Sequence, residues 1–198
     1  MTDHQILFTA PMVRALLDGR KTQTRRVAKL PLKDRDFGCE LAGNEIGPKE
    51  THRLCPYGQP GDRLWVRETF AETSGNVWYR ADPGVEDCVA CSTPGWKWRP
   101  SIFMPRWASR ISLEITGIRI DRLQDISETD ALAEGISTIW PDGPREDKGQ
   151  NHYTIKIGNV SYNAPTAAGV YRMLWEQING SGSWAVNPWI WVLEFRRI

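Results

Sequence analysis

Ile111-Ser-Leu-Glu-Ile-Thr-Gly-Ile-Arg-Ile-Asp121 is the stretch on which the fold turns. Ile111, Leu113 and Ile115 alternate with polar residues, the period of a half-buried strand. Ile118 and Ile120 alternate on the opposite parity, and Gly117 stands at the phase change. Such a break within one strand marks a β-bulge, which bends the strand and raises its twist. A long bent strand lets a small sheet curl on itself. The expected fold is therefore α+β, a small, partly open β-barrel decorated by helices.

The segments on either side supply the remaining elements. Ser127-Glu-Thr-Asp130 has the layout of a helix N-terminus, and Gly135 ends that short helix. Trp140 to Asn151 reads as loop, and Tyr153, Ile155 and Ile157 read as a strand. Thr166 to Asn179 is an amphipathic helix with Val170, Tyr171, Leu174, Trp175 and Ile178 on one side. Trp189 to Phe195 closes the pattern as a strand. On the N-terminal side, Ile6-Leu-Phe8 is a short strand, and Thr9 and Pro11 open a helix striped by Met12, Val13, Leu16 and Leu17. Gly19 stops that helix, and Thr22 to Val27 reads as a strand. Pro31 to Gly61 and Asp82 to Pro100 read as loops. Between them Arg63 to Phe70 is a strand with Val77 to Arg80 as its hairpin partner.

The chain has 198 residues, enough for one domain with a real core. Its formal net charge is +1, which argues against indiscriminate binding to long nucleic acids. No apolar run reaches the ~18 residues a membrane span needs, and the N-terminus lacks the layout of a signal peptide. The expected location is cytoplasmic. Trp is abundant, with ten residues. An indole fills a core, and it also stacks on bases.

Four cysteines, Cys39, Cys55, Cys88 and Cys91, make up the whole set. In a cytosolic chain they read as free thiols or metal ligands rather than disulfides. His52-Arg-Leu-Cys55 and Cys88-Val-Ala-Cys91 each place two soft ligands three residues apart. Such pairs can close a structural zinc site on His52, Cys55, Cys88 and Cys91. Unpaired loop thiols are the simpler alternative.

The densest polar segment is Gly19-Arg-Lys-Thr-Gln-Thr-Arg-Arg26, where a helix stops and a strand begins. It suits phosphate contact by its basic residues. It also suits nucleophilic catalysis by a threonine hydroxyl with Lys21 as base, provided the lysine pKa is lowered. A solvated edge strand is the plain alternative. In a regular strand Lys21 and Thr24 point to opposite faces, so their meeting needs irregular backbone after Gly19. Trp65-Val-Arg-Glu68 is a second polar and aromatic segment, which places Glu68 on the inward face beside Lys21 as an ion-pair candidate. Met104-Pro-Arg-Trp107 offers a base-stacking wall, Met104 and Trp107, and a phosphate contact, Arg106.

Gly19, Lys21, Thr24 and Arg26 resemble the G-x-K-x-x-T/E-x-R signature of the ASCH domain, a branch of the PUA-like β-barrel superfamily. Gly61-Asp-Arg-Leu-Trp-Val66 resembles that family's G-D-x-L-x-V strand. Ile126 to Gly135 resembles its short helix ending in A-x-x-E-G, and Trp191 to Phe195 its closing strand. The long form, with Trp98 to Trp107, is similar to ASCH proteins of phage and prophage genomes. The resemblance implies one domain over 1–198, with insertions at about 28–60, 82–100 and 138–165 near the barrel mouth. It also implies an amidohydrolase of the kind that deacetylates N4-acetylcytidine. In that mechanism Thr24 is the nucleophile, Lys21 the base and Glu134 the acid/base, with Arg26 stabilising developing charge and no metal required.

Two other functions suit the same residues. One is a module that binds a modified base in single-stranded RNA or DNA through Lys21, Arg26, Arg106 and tryptophan. The other is a ribonuclease, for which the three histidines, His4, His52 and His152, have no obvious partners. The substrate-binding set expected from sequence is Arg26, Glu68, Met104, Arg106 and Trp107.

Overall fold

A computed structural model describes residues 1–29, 32–33, 40–41, 46–73, 75–85, 97–139, 152–157 and 160–198. The chain opens with strand β1 (Asp3–Leu7), helix α1 (Ala10–Leu17) and strand β2 (Gln23–Val27). The short strands β3 (Leu32–Lys33) and β4 (Glu40–Leu41) pair with each other, and helix α2 (Pro48–Leu54) follows. Strands β5 (Arg63–Arg67), β6 (Phe70–Thr73) and β7 (Asn76–Tyr79) precede the long β8 (Ser112–Arg122). Helix α3 (Glu128–Ala133), strands β9 (Ser137–Ile139), β10 (His152–Ile157) and β11 (Val160–Ala164), helix α4 (Ala167–Asn179) and strand β12 (Trp189–Arg197) complete it.

The architecture is mixed α+β. Its centre is a five-stranded sheet in the order β1-β5-β8-β12-β2, parallel between β1 and β5 and antiparallel elsewhere. Among the described residues the sheet does not close into a barrel by strand pairing. Its two edge strands are joined by a side chain instead: Arg26 Nη2 on β2 donates to the Leu7 carbonyl on β1 at 2.7 Å. The bulge expected near Gly117 is present, because Glu194 pairs with Gly117 while Phe195 pairs with Ile115. Thr116 is the extra residue, and it bends β8 across the middle of the sheet.

One large core fills the space under the sheet. Val13 and Leu16 of α1 and Val170 and Leu174 of α4 pack with Leu64, Leu113, Ile115, Trp191 and Leu193 of the strands. The helical residues recur at three- and four-residue spacing and the strand residues alternate, so each element buries one side. Helix α4 begins at Thr166, whose hydroxyl accepts from the Gly169 amide at 3.1 Å. The Glu128 carboxylate on α3 accepts from the Ala167 and Ala168 amides at 2.7 and 3.3 Å. A carboxylate on the first amides of a helix is favourable, and here it also ties α3 to α4.

Three sequence expectations need correction. Pro31 to Gly61 holds α2, whose few apolar residues left no stripe to read. The strand expected over Arg63 to Phe70 is two strands. Phe70 exchanges backbone hydrogen bonds with Arg99 at 3.2 and 2.7 Å and starts a separate hairpin with β7. The segment 138–165 contains a three-stranded sheet, β11-β10-β9, where one strand was expected. No helix among the described residues is long and apolar enough to cross a membrane.

Candidate active site

The site forms where α1 hands over to β2. Gly19 takes φ +75°, a left-handed conformation that ends the helix without a Cβ penalty. The Arg20 and Lys21 amides both still donate to the Ala15 carbonyl, at 2.9 and 3.0 Å. Lys21 is therefore held back against α1 and makes an isolated bridge to Glu134 before β2 starts at Gln23. This is the irregular backbone that lets Lys21 and Thr24 reach the same space. Glu134 arrives as the C-cap of α3, followed by Gly135 at φ +98°. A Cβ on Gly135 would come within 2.9 Å of Ala15 Cβ and 3.3 Å of Lys21 Cβ, so only glycine lets the two segments approach.

The Lys21 ammonium is buried and fully engaged. Nζ donates to Glu134 Oε2 at 2.6 Å, to the Gln23 carbonyl at 2.8 Å and to the Glu134 carbonyl at 3.0 Å. Its pKa is nevertheless lowered, because burial outweighs the Glu134 carboxylate and the Arg26 and Arg25 charges add to burial. Glu134 Oε1 is buried and accepts no hydrogen bond, with Arg25 Nη1 at 3.6 Å. The Thr24 hydroxyl forms no hydrogen bond among the described residues.

Lys21, Thr24, Arg25, Arg26 and Glu134 line one small cavity of about 90 Å³, walled by Phe8, Tyr171 and Trp175. The guanidinium of Arg25 lies 5.8 Å from the Tyr171 ring, and that of Arg26 5.3 Å from Phe8. A second cavity of about 440 Å³ shares Phe8, Met12, Arg26 and Ile178 with the first. The inner space suits a small planar or acyl group, and the outer space suits the rest of a larger molecule.

A carboxylate missed by sequence reading supports this wall. Asp130 looks like a residue of the helix start, yet it binds Arg25 Nη2 at 3.0 Å, Arg119 Nη2 at 2.9 Å and Gln23 Nε2 at 3.0 Å. Burial alone would raise its pKa. The Gln23 hydrogen bond, Arg25, Arg119 and Ser127 outweigh burial and lower the pKa to about 2. Arg25, buried in the pocket wall, is thereby fixed in place. Nothing in the sequence marks Asp130 as its partner.

The remaining expected residues sit elsewhere. Glu68 does not meet Lys21. It is buried against Arg110, with Nε–Oε1 at 2.9 Å and Nη2–Oε2 at 3.1 Å, and Arg110 also holds Asp82 at 2.6 Å. Burial raises the Glu68 pKa even against the hydrogen bonds and charge of Arg110. Met104 is not a surface wall. It lies in a small second core with Phe70 and Ala108, its sulfur accepting from the Glu68 amide at 3.2 Å. Arg106 is exposed, 3.4 Å from Asp3 and 5.7 Å from the Trp65 ring, and Trp107 is 65% exposed. Neither lines the two cavities.

Two of the four expected zinc ligands fall among the described residues. His52 is exposed on α2, whereas Cys55 packs in the main core with its thiol pushed up to about 11 by burial. Cys88 and Cys91 lie outside the described residues. No group of three or more His, Cys, Asp or Glu residues placed to hold a metal occurs among the described residues.

Comparison of the chain with protein-family models, curated proteins and solved structures finds no match.

Proposed function

We propose that the chain is an amidohydrolase of the ASCH type, on a partly open PUA-like barrel, that cleaves the acyl amide of an N-acylated pyrimidine nucleoside. The observation that carries this reading is the convergence of Lys21, Thr24 and Glu134 on one cavity, with the Thr24 hydroxyl making no hydrogen bond among the described residues. Sequence resemblance supplies the reaction class, and the geometry supports it.

The chemistry runs through the Lys21–Glu134 hydrogen bond at 2.6 Å. When substrate displaces water, the proton passes from Nζ to the carboxylate, because a neutral pair is favoured in a dry site. Neutral Lys21 then takes the Thr24 proton as Oγ1 attacks the acyl carbon. Glu134 gives its proton to the departing exocyclic amine as the C–N bond breaks. The Glu134 carboxylate next takes a proton from water, and the hydroxide attacks the acyl-threonine. The C–Oγ bond breaks, and Thr24 recovers its proton from the Lys21 ammonium. The acid leaves, and the pair is back in its neutral form. Arg26, on the border of both cavities, faces the charge that develops on the acyl oxygen.

One observation favours a second reading, a binding module without turnover. Lys21 has all three ammonium protons accepted, as a purely structural lysine would. The deciding experiment is chromatography with mass detection of N4-acetylcytidine and its deoxy counterpart, using wild-type protein and Thr24→Ala. Turnover that falls to background in the variant supports the amidohydrolase. Undiminished turnover in the variant refutes Thr24 as nucleophile. No turnover by folded wild-type protein that still binds nucleosides moves the assignment to the binding module.

A further inference from the structure

We infer that the larger cavity is a phosphate site, so that the molecule this pocket takes is a phosphorylated nucleoside rather than a free one. Three arginines, Arg14, Arg26 and Arg80, line it, and among the described residues no acidic one does. None of the three has a carboxylate within 4.0 Å among the described residues. Arg14 donates only to the Ala81 carbonyl at 3.4 Å, Arg26 only to the Leu7 carbonyl at 2.7 Å, and Arg80 makes no side-chain hydrogen bond. Six other arginines are neutralised: Arg20, Arg25, Arg106, Arg110, Arg119 and Arg196 each meet a carboxylate at 3.4 Å or less. Arg63, Arg67, Arg122, Arg172 and Arg197 also lack a carboxylate within 4.0 Å among the described residues; what sets Arg14, Arg26 and Arg80 apart is that they share one cavity. In a chain whose net charge is +1, three uncompensated guanidinium groups around one cavity form a local field that a dianion would satisfy.

The rest of the lining fits the same ligand. Thr69 and Ser101 add hydroxyls, and the first turn of α1, Ala10 and Pro11, carries no acidic residue. Phe8, Met12, Arg26 and Ile178 line both cavities, so one molecule can span them. A base and its acyl group would enter the inner space of about 90 Å³, and a sugar phosphate would occupy the outer space of about 440 Å³. The identity of the nucleoside rests on the amidohydrolase reading, whereas the anion site stands on the arginines alone. The phosphate has two sources, a free nucleotide or a phosphodiester within a single strand.

The test is calorimetric titration at fixed salt with cytidine, cytidine 5′-monophosphate, inorganic phosphate and a short single-stranded oligonucleotide. Wild-type protein, Arg80→Gln and Arg14→Gln/Arg80→Gln are compared, with Arg26 left intact because it borders the reactive cavity. The monophosphate should bind about tenfold or more tightly than cytidine, and the double variant should lose about that factor while its cytidine affinity is unchanged. Arg80→Gln alone, at an exposed side chain without hydrogen bonds, should lose part of it and guards against misfolding of the double variant. Equal affinity for cytidine and its monophosphate overturns the inference, as does a monophosphate affinity that both variants retain. Stronger binding of the oligonucleotide than of the monophosphate assigns the phosphate to a strand, and the reverse assigns it to a free nucleotide. A phosphate preference without amide hydrolysis removes the amidohydrolase and leaves the anion site standing.

Discussion

Replacing Lys21 with methionine removes the donor at the centre of the site while keeping most of its volume. The side chains of Lys21 and Glu134 are 1% and 4% exposed, so neither charge can turn to water. Removing one partner of a buried ion pair costs about 3–5 kcal/mol. Lys21→Met strands more than the carboxylate, because the Gln23 and Glu134 carbonyls lose their Nζ donor as well. Each such loss adds on the order of 1 kcal/mol, so this variant should lie at the upper end, about 5 kcal/mol. Glu134→Leu leaves the ammonium with two carbonyl acceptors and should cost about 3 kcal/mol. The double variant carries neither charge, so its loss should fall well below the sum of the two, with a coupling of about 2–3 kcal/mol. Urea denaturation at neutral pH, followed by tryptophan fluorescence and circular dichroism, measures all four corners of the cycle. Total stabilities of about 5–15 kcal/mol leave room for the single variants to fold. Single losses under about 1 kcal/mol, or losses that add within about 0.5 kcal/mol, would refute the claim that these two residues act as one buried unit.

Further predictions address the supports of the site. Gly135→Ala should destabilise by about 2 kcal/mol or more, through both its positive φ and the close approach to Ala15 and Lys21. Gly19→Ala, at φ +75° with open space around its Cα, should cost only about 1 kcal/mol, so thermal melts of the pair separate strain from crowding. The Asp130 pKa of about 2 lies below its ordinary 3.8, so its ionisation contributes about 2 kcal/mol at neutral pH. That contribution is complete above about pH 4 and is lost as pH falls toward 2. The stability gap between wild type and Asp130→Asn should narrow across that window, and a gap independent of pH would contradict it. The Cys55 thiol, raised to about 11 and buried, should resist a thiol reagent in native protein at neutral pH and react once urea unfolds it. Peptide mapping after labelling reads Cys55 separately from the other cysteines.

Much of the fold was legible because it rests on local pattern. The change of parity at Gly117 announced the bulge in β8, and Thr9, Pro11 and Gly19 bounded α1 as they should. Helix α2 was hidden because Pro48 to Leu54 is short and largely polar. The split after Arg67 was hidden because Phe70 is taken by Arg99, a partner that no local period reveals. The candidate site divides in the same way. Lys21 and Thr24 could be singled out in one polar segment, but the approach of Glu134 across 113 residues depends on the fit of Gly135 against Ala15. Glu68 illustrates the limit. Strand alternation correctly turned it inward, yet its partner is Arg110 rather than Lys21, since alternation fixes a face and not a neighbour.

The order of the central sheet has a consequence for how the pocket comes into being. Thr24 and Arg26 sit on β2, an edge strand whose one ladder partner among the described residues is β12, with Thr24 opposite Leu193. Strand β2 is therefore stitched in by the sequence-distant β12, and most of the sheet's pairings join residues far apart in sequence. Contacts of that range form slowly, because a long loop must close before any pairing offsets its entropy. A ribosome-bound chain lacking residues 189–197 would hold Lys21, Thr24 and Glu134 without holding them together. The pocket thus comes together only once β12 has been made, and a chain stalled short of β12 is a folding intermediate with an exposed β2 edge.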